Sequence, residues 1–178
     1  MICFLEVPNA LGNLGLGYYS LGQYNRAIDF HQQCLTIAKE LGNRRSEANS
    51  LGNLGNAYYS LEEYDRSINF LQQQLLIARE ISDRRGEGIA LVNMGATQTK
   101  LEQCPESLTN NRSALDIFQE IGDRPNEAEA LKNLAELHQA LGEVEVARQY
   151  CQQAWLLATE LGIPLALECE ALRLQLEI

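Results

Sequence analysis

The sequence has few of the residues from which catalytic and metal sites are built. It has two histidines and five cysteines, and no two cysteines stand in a Cys-x-x-Cys pair. No nucleophile elbow, phosphate-binding loop or zinc-protease motif occurs. The odd number of cysteines and their scatter favour buried, reduced thiols over a disulfide framework or a metal site. We therefore expect no enzyme activity, no cofactor and no metal.

Positive charge and long apolar runs are also scarce. Lysine and arginine number 14 against 24 acidic residues, which gives a formal net charge of −10. Binding to nucleic acid needs a basic surface, so an acidic chain argues against it. No apolar run approaches the roughly 20 residues of a transmembrane helix, and the start of the chain lacks the basic region of a signal peptide. We expect a cytoplasmic protein with neither a nucleic-acid nor a membrane partner.

What the sequence does contain is a repeat of 40 residues. The blocks at 11–30 and 51–70 agree at 13 of 20 positions without a gap. Related blocks follow at 91–110 and 131–150. A fixed period of this length is typical of a solenoid, in which each unit packs only on its neighbours.

Each repeat has the pattern of two helices joined by a tight turn. In the second repeat, Leu51, Leu54, Gly55 and Tyr58 fall on one helical face, and a second helical pattern begins at Tyr64. Repeats end in pairs such as Leu-Gly, and glycine commonly follows a helix. The first helix is expected to begin late, at Pro8, because proline is unfavourable inside a helix.

A short polar residue precedes the first helix of three repeats. These residues are Asn43, Asp83 and Asp123. Side-chain oxygens at this position accept hydrogen bonds from free N–H groups of the following helix. The sequence therefore predicts three N-caps.

These positions resemble the tetratricopeptide repeat, which has a large apolar residue, Leu, a small residue and an aromatic in its first helix. The second helix then has small, bulky and small positions. The first repeat matches with Leu11, Leu14, Gly15 and Tyr18, and the second with the four residues named above. The third is the poorest match, with Gln98 and Asn111 at core positions. The 40-residue period is similar to the Leu-Gly-Asn type of array and, more loosely, to kinesin light chains.

The resemblance implies an all-α, right-handed superhelical solenoid. It would form a single domain over 1–178, with repeats at about 4–43, 44–83, 84–123 and 124–163 and a terminal helix or partial repeat at 164–178. The first helix of each pair would then line a concave groove that binds a peptide segment of a protein partner. Such arrays act as scaffolds for assembly or signalling.

Helical spacing places one set of polar residues on the groove side of the first helices. Asparagine recurs there once in every repeat, and an amide offers both a donor and an acceptor. The four asparagines either clamp the backbone of an extended peptide or brace neighbouring repeats. The predicted peptide-binding residues are Asn13, Tyr19, Arg45, Asn49, Asn53, Asn56, Tyr59, Arg85, Asn93, Lys100, Lys132, Asn133 and Glu136.

Four basic residues in this set bear on the choice of partner. Arg45, Arg85, Lys100 and Lys132 would favour an acidic or carboxylate-bearing segment. Alternatively, they are solvated charges, some of them in surface pairs three residues apart.

Two other functional interpretations stay open. The chain could be a fragment or regulatory module of a larger signalling protein, such as a sensor-linked ATPase or protease. It could also be a self-associating array, because its last residues are apolar.

Overall fold

The structure is a computed structural model that describes the helices over residues 3–176 and the side chains over residues 10–176. Within that part of the chain every regular element is an α-helix, so the all-α prediction is confirmed. The helices are α1 Cys3–Ser20, α2 Tyr24–Glu40, α3 Arg44–Ser60, α4 Tyr64–Glu80, α5 Arg84–Lys100, α6 Cys104–Ile121, α7 Arg124–Ala140, α8 Val144–Leu161 and α9 Leu165–Leu176. Odd-numbered helices are the first helices of their repeats, and even-numbered helices are the second.

The predicted start of α1 at Pro8 is wrong. The helix begins at Cys3, close to the position that the 40-residue register requires. A proline inside a helix removes one backbone hydrogen bond, but it does not end the helix when the rest of the ladder continues on both sides. The repeat register, and not the proline, sets this boundary.

The three predicted N-caps are confirmed. The Asn43 side chain accepts a hydrogen bond from the backbone N–H of Ser46 at 3.1 Å, and Asp123 accepts one from Asn126 at 3.4 Å. Asp83 accepts one from the N–H of Gly86 at 3.0 Å. Each cap satisfies a donor that the first helical turn leaves free, which explains why the polar residue recurs every 40 positions.

The chain divides into two compact units, with the boundary between Ala90 and Leu91 inside α5. In unit 1, which ends at Ala90, one core cluster joins residues of α2, α3 and α4. Its buried members are Leu35, Ala48, Leu51, Leu54, Tyr58 and Ile77. The predicted core face of α3 is therefore the observed one.

One apolar residue of the repeat pattern does not lie in the core. Leu14 of α1 is 49% exposed, whereas its counterpart Leu54 in α3 is fully buried. The difference follows from the neighbours: α3 packs against both α2 and α4, while the contacts of α1 are with α2 and a few residues of α3. The same pattern buries a residue only where a helix lies on each side.

Unit 2, which begins at Leu91, has two core clusters that involve α7, α8 and α9. One contains Ala128, Leu131, Ala154, Ala158, Leu165 and Cys169. The other contains Ala135, Ala147, Cys151, Leu172 and Leu176. Small residues dominate because they allow close approach of the helix backbones. Leu172 and Leu176, in the apolar last stretch, thus lie in the core.

Candidate peptide-binding surface

The recurring asparagines occupy one position of the first helices, but their exposure differs. In unit 1, Asn13 is exposed and Asn53 half-buried; in unit 2, Asn93 is half-buried and Asn133 is only 8% exposed. Among the described residues, none of these four side-chain amides makes a hydrogen bond, whereas a brace between repeats would require one. Their donors and acceptors are therefore not used within the described part of the chain.

Polar residues extend this position along α3. Asn49 and Arg45 are exposed, one and two turns before Asn53 respectively, and Asn56 is half-buried after it. The spacing of four residues places Arg45, Asn49 and Asn53 in one row along the helix. Arg45 lies 3.8 Å from the Asp83 carboxylate, a distance typical of a loose surface pair, and its side chain is 72% exposed. We call Arg45, Asn49, Asn53 and Asn56 the α3 row.

The two predicted tyrosines lie at the end of their helices, where they are held by neighbours. The Tyr19 hydroxyl shares a hydrogen bond with the Ser60 hydroxyl at 2.9 Å, which connects α1 to α3. Tyr59 packs edge-on against Tyr64, with ring centroids 5.7 Å apart. Both tyrosines are half-buried. Each therefore leaves only part of its ring surface to a partner.

Gly52 precedes Asn53 on α3 but is not available to a ligand. It is buried beneath the Gln74 side chain of α4, whose atoms lie 2.7–2.8 Å from where a Cβ of residue 52 would be. Gln74 is 5% exposed, and its Oε1 accepts no hydrogen bond in the described chain. A Cβ at residue 52 would force the end of the Gln74 side chain to move.

In unit 2, Lys132 does not present a free charge. Its Nζ lies 2.9 Å from Glu168 of α9, 3.6 Å from Glu129 and 3.8 Å from Glu136. Burial alone would lower the pKa of Lys132, but the attraction of Glu129 and the hydrogen bond to Glu168 together raise it above its ordinary value. We call Lys132 and these three glutamates the carboxylate cluster. The lysine charge is paired within the chain, and the three carboxylates leave a local excess of negative charge.

The remaining two basic candidates lie at the surface. Arg85 and Lys100 are both exposed, at the beginning and near the end of α5. Arg85 already has an interaction within the chain. Of the predicted residues, Arg45, Asn49, Asn53 and Asn56 lie together on α3, and Lys132 and Glu136 lie in the carboxylate cluster of unit 2, where the lysine is already paired. The others are distributed over α1, the end of α3, α5 and α7.

Both histidines and three of the described cysteines, Cys34, Cys151 and Cys169, are packed in the interior. His31 is 1% exposed and His138 is 3% exposed. Burial raises the pKa of the Cys169 thiol to about 11, and the Cys151 pKa is raised for the same reason. A thiol held in its protonated form is a poor nucleophile. No group of histidine, cysteine and acidic residues that could hold a metal ion occurs among the described residues.

Sequence reasoning missed the carboxylate cluster because it overlooked a second spacing in the chain. Arg44 forms a hydrogen-bonded ion pair with Glu80, Arg124 pairs with Glu160 at 2.7 Å, and Lys132 pairs with Glu168. In all three pairs the glutamate comes 36 residues after the base. In the first two pairs this spacing joins the start of the first helix of a repeat to the end of its second helix, and in the third pair it joins α7 to α9. A search for bases followed by glutamate at 36 residues would have found all three pairs.

The fold and the polar first-helix faces together define a helix-pair repeat protein. A family model of the tetratricopeptide repeat matches residues 6–82 and 86–155. The chain belongs to the tetratricopeptide repeat family. A comparison with curated proteins finds no match. Within the described part of the chain, no helix is long and apolar enough to cross a membrane.

Solved structures share this fold at low sequence identity. Aspartyl phosphate phosphatase F from Bacillus subtilis is 20% identical with a TM-score of 0.86, and the match covers 94% of this chain and 44% of that one. A Rap protein complexed with Competence and Sporulation Factor is 19% identical with a TM-score of 0.82, covering 89% and 45%.

A third structure is a signal transduction ATPase with numerous domains from Pyrococcus horikoshii, which carries a tetratricopeptide repeat sensor. It is 18% identical with a TM-score of 0.79, and the match covers 96% of this chain and 26% of that one. This chain thus spans less than half the length of the three structures, and the likeness shows the fold alone.

Proposed function

We propose that this protein is an interaction scaffold that binds a peptide segment of a partner protein across the polar faces of its first helices. The observation that carries the proposal is the recurring asparagine. The same residue type occupies the same helical position in each repeat, and its amide makes no hydrogen bond within the described chain. A hydrogen bond to a peptide backbone is worth about 0.5–1.5 kcal/mol net. A few such bonds therefore give useful affinity that does not depend on the side chains of the peptide.

The α3 row is the part of this surface best suited to the task. Its amides are accessible, and Arg45 at its start is available to a carboxylate because its contact with Asp83 is loose. Lys132, by contrast, is neutralised by its three glutamates and is no candidate for binding an acidic segment. A preference for a carboxylate-bearing partner therefore rests on Arg45 and on the exposed Lys100.

The test compares partner binding with stability in the variant that carries both Asn53→Ala and Asn93→Ala. We expect binding of a captured partner to weaken by about tenfold, as the loss of one to two hydrogen bonds predicts. The melting temperature should change little, because the amides bond to nothing inside the chain. Full binding combined with a large drop in melting temperature would mean that the asparagines brace the fold.

A matched control replaces amides of the same type that lie on a second helix. Asn69 and Gln73 of α4 are exposed and bonded to each other at 2.7 Å. Their joint replacement by Ala should leave partner binding unchanged. If it weakens binding as much as the first-helix variant does, the binding face has been placed on the wrong helix.

A second candidate is a regulatory module within a larger signalling protein. The similarity to the tetratricopeptide repeat sensor of a multidomain ATPase favours it, since the match covers 26% of that chain. In either role we propose that the repeats bind and have no chemistry of their own. Sequencing the flanking reading frame distinguishes the module from an independent scaffold.

A further inference from the structure

Three repeats close the turn between their two helices with stacked rings. A ring from the first helix lies nearly parallel to a ring from the second, with centroids 5.2–5.4 Å apart. The pairs are Tyr18 with Phe30, Tyr58 with Phe70, and His138 with Tyr150. Such pairs fill the end of the helix pair with flat apolar area.

The third repeat has two amides at the same positions. The Nδ2 of Asn110 donates a hydrogen bond to the Oε1 of Gln98 at 2.7 Å. Two amides occupy less space than two rings, and an open surface pocket of about 350 Å³ lies beside them. It is lined by Gln98, Pro105, Glu106, Thr109 and Asn110, all within unit 2. We call it the third-repeat cavity.

Polar groups of the cavity keep unused hydrogen-bonding capacity. The Gln98 Nε2 donor and the Asn110 Oδ1 acceptor make no further hydrogen bond among the described residues. The Thr109 hydroxyl is already engaged, since it donates to the carbonyl of Pro105 at 2.9 Å. The walls therefore present the flat amide groups of Gln98 and Asn110, the ring of Pro105 and the free acceptor oxygen of Asn110.

Charge at the rim is also reversed in this repeat. In the first two repeats, Arg26 and Arg66 lie over the Tyr18 and Tyr58 rings, with the guanidinium carbon 5.3 and 4.8 Å from the ring centroid. The equivalent residue in the third repeat is Glu106, which is exposed and makes no ion pair within the described chain. A carboxylate at this point accepts hydrogen bonds instead of capping a ring.

We propose that the third-repeat cavity binds an aromatic side chain that carries a hydrogen-bond donor, that is, a tryptophan or tyrosine of a protein partner. The ring would occupy the volume that rings fill in the other repeats, between the amide faces and Pro105. Its N–H or O–H would donate to Glu106 or to the Oδ1 of Asn110. Flat walls suit a ring better than they suit a compact ammonium ion. The site shares no residue with the asparagine position, so it stands independently of the function proposed above.

The experiment is a titration of the full chain with N-acetyl-tryptophanamide, followed by the side-chain amide signals in two-dimensional NMR spectra. We expect saturable shifts of the Gln98 and Asn110 signals. The side-chain amide signals of the exposed pair Gln73 and Asn69, which is hydrogen-bonded at the same distance of 2.7 Å, should not shift. They serve as a control within each spectrum. The absence of saturable shifts at Gln98 and Asn110 overturns the proposal.

Two filled variants test the location. The double replacement Gln98→Tyr and Asn110→Phe rebuilds the ring pair of the first two repeats and should abolish binding. Thr109→Trp fills the cavity from its exposed rim without altering a buried position, so it remains informative if the double variant does not fold. Binding that persists in a folded, filled variant overturns the proposal.

The role of the Glu106 carboxylate as a hydrogen-bond acceptor is tested by the substitution Glu106→Gln. We expect the affinity for the probe to fall on the order of threefold, as for an exposed charged group. Titration with N-acetyl-leucinamide distinguishes a ring site from a general apolar surface. Equal binding of the leucine and tryptophan probes contradicts the proposal.

Discussion

At the scale of single residues, one position of the second helix shows how the repeat tolerates different chemistry. His31 and Leu71 are equivalent, and each lies directly over a glycine of the first helix, Gly15 or Gly55. Leu71 is fully buried and needs no polar partner. His31 is equally buried, but neither ring nitrogen has a hydrogen-bond partner in the described chain. An unsatisfied buried polar group costs about 1–3 kcal/mol.

We predict that His31→Leu stabilises the protein by about 1–2 kcal/mol at neutral pH. The effect should grow in acid, because burial lowers the pKa of His31 in the folded state. The unfolded chain then binds more protons below pH about 6.5, so the stability of the wild type falls as the pH drops through this range. Urea unfolding at pH 8 and pH 5.5 measures both effects. A pH dependence unchanged by the substitution would contradict the assignment.

Backbone conformation gives a second prediction at residue scale. Gly22 and Gly142 have φ of 71° and 76° in the turn within their repeats, and Glu102 has φ of 59° at the equivalent position. A left-handed conformation costs about 1–2 kcal/mol for a residue with a Cβ. Glu102→Gly should therefore stabilise the fold by about 0.5–1 kcal/mol after the greater flexibility of unfolded glycine is allowed for.

The matched control is the neighbouring Gln103→Gly. Gln103 has φ of −85° and its side chain makes no capping bond. Glycine there relieves no strain and should give no gain in thermal melting. Equal stabilisation by both substitutions would show that the backbone angle is not the cause.

At the scale of elements, α9 is held to α7 by charge as well as by packing. Lys132 of α7, with only 12% of its side chain exposed, contacts Glu168 of α9 and two glutamates of its own helix. Burial raises the pKa of the Glu129 carboxyl, and Lys132 opposes that rise. The lysine is thus the one positive charge among three carboxylates in this cluster.

We predict that Lys132→Met destabilises the protein on the order of 1–2 kcal/mol at neutral pH, allowing for partial solvent screening. The three carboxylates would then repel one another without a counter-charge. Because the raised pKa means that the folded state takes up the Glu129 proton more readily than the unfolded state, the deficit should shrink as the pH is lowered towards about 4. Thermal melts of the wild type and the variant, recorded between neutral pH and about pH 4, measure this stability deficit.

The double variant Lys132→Met with Glu168→Gln is the control for charge. It removes one carboxylate as well as the lysine, so part of the lost stability should return. If the double variant is less stable than the single one, the α7–α9 contact depends on packing of the side chains and not on the balance of charge.

At the scale of the whole molecule, apolar residues at the surface bear on self-association. Leu167 and Leu174 of α9 are 78% and 55% exposed. They lie seven residues apart, on one side of the helix, while Leu172 and Leu176 point into the core. A second copy of the chain would bury this exposed side.

We predict concentration-dependent association in light scattering, and we expect Leu167→Lys with Leu174→Lys to remove it. Leu172→Lys is no control, because it would disrupt the core. The exposed Leu156→Lys on α8, at 53% exposure, is the matched change at another surface. A wild type that stays monomeric at high concentration would rule out this association.

The sequence alone determined the repeat, its helices and the three N-caps. These features follow from helical periodicity and from short-range chemistry, since a cap and its N–H donor are three residues apart. Only the tertiary structure decided which polar positions remain available. It buried Gly52 under Gln74, enclosed Lys132 among glutamates and opened the third-repeat cavity. Each of these depends on a side chain from another helix, 12 to 36 residues away along the chain, and helical periodicity does not specify which side chain that is.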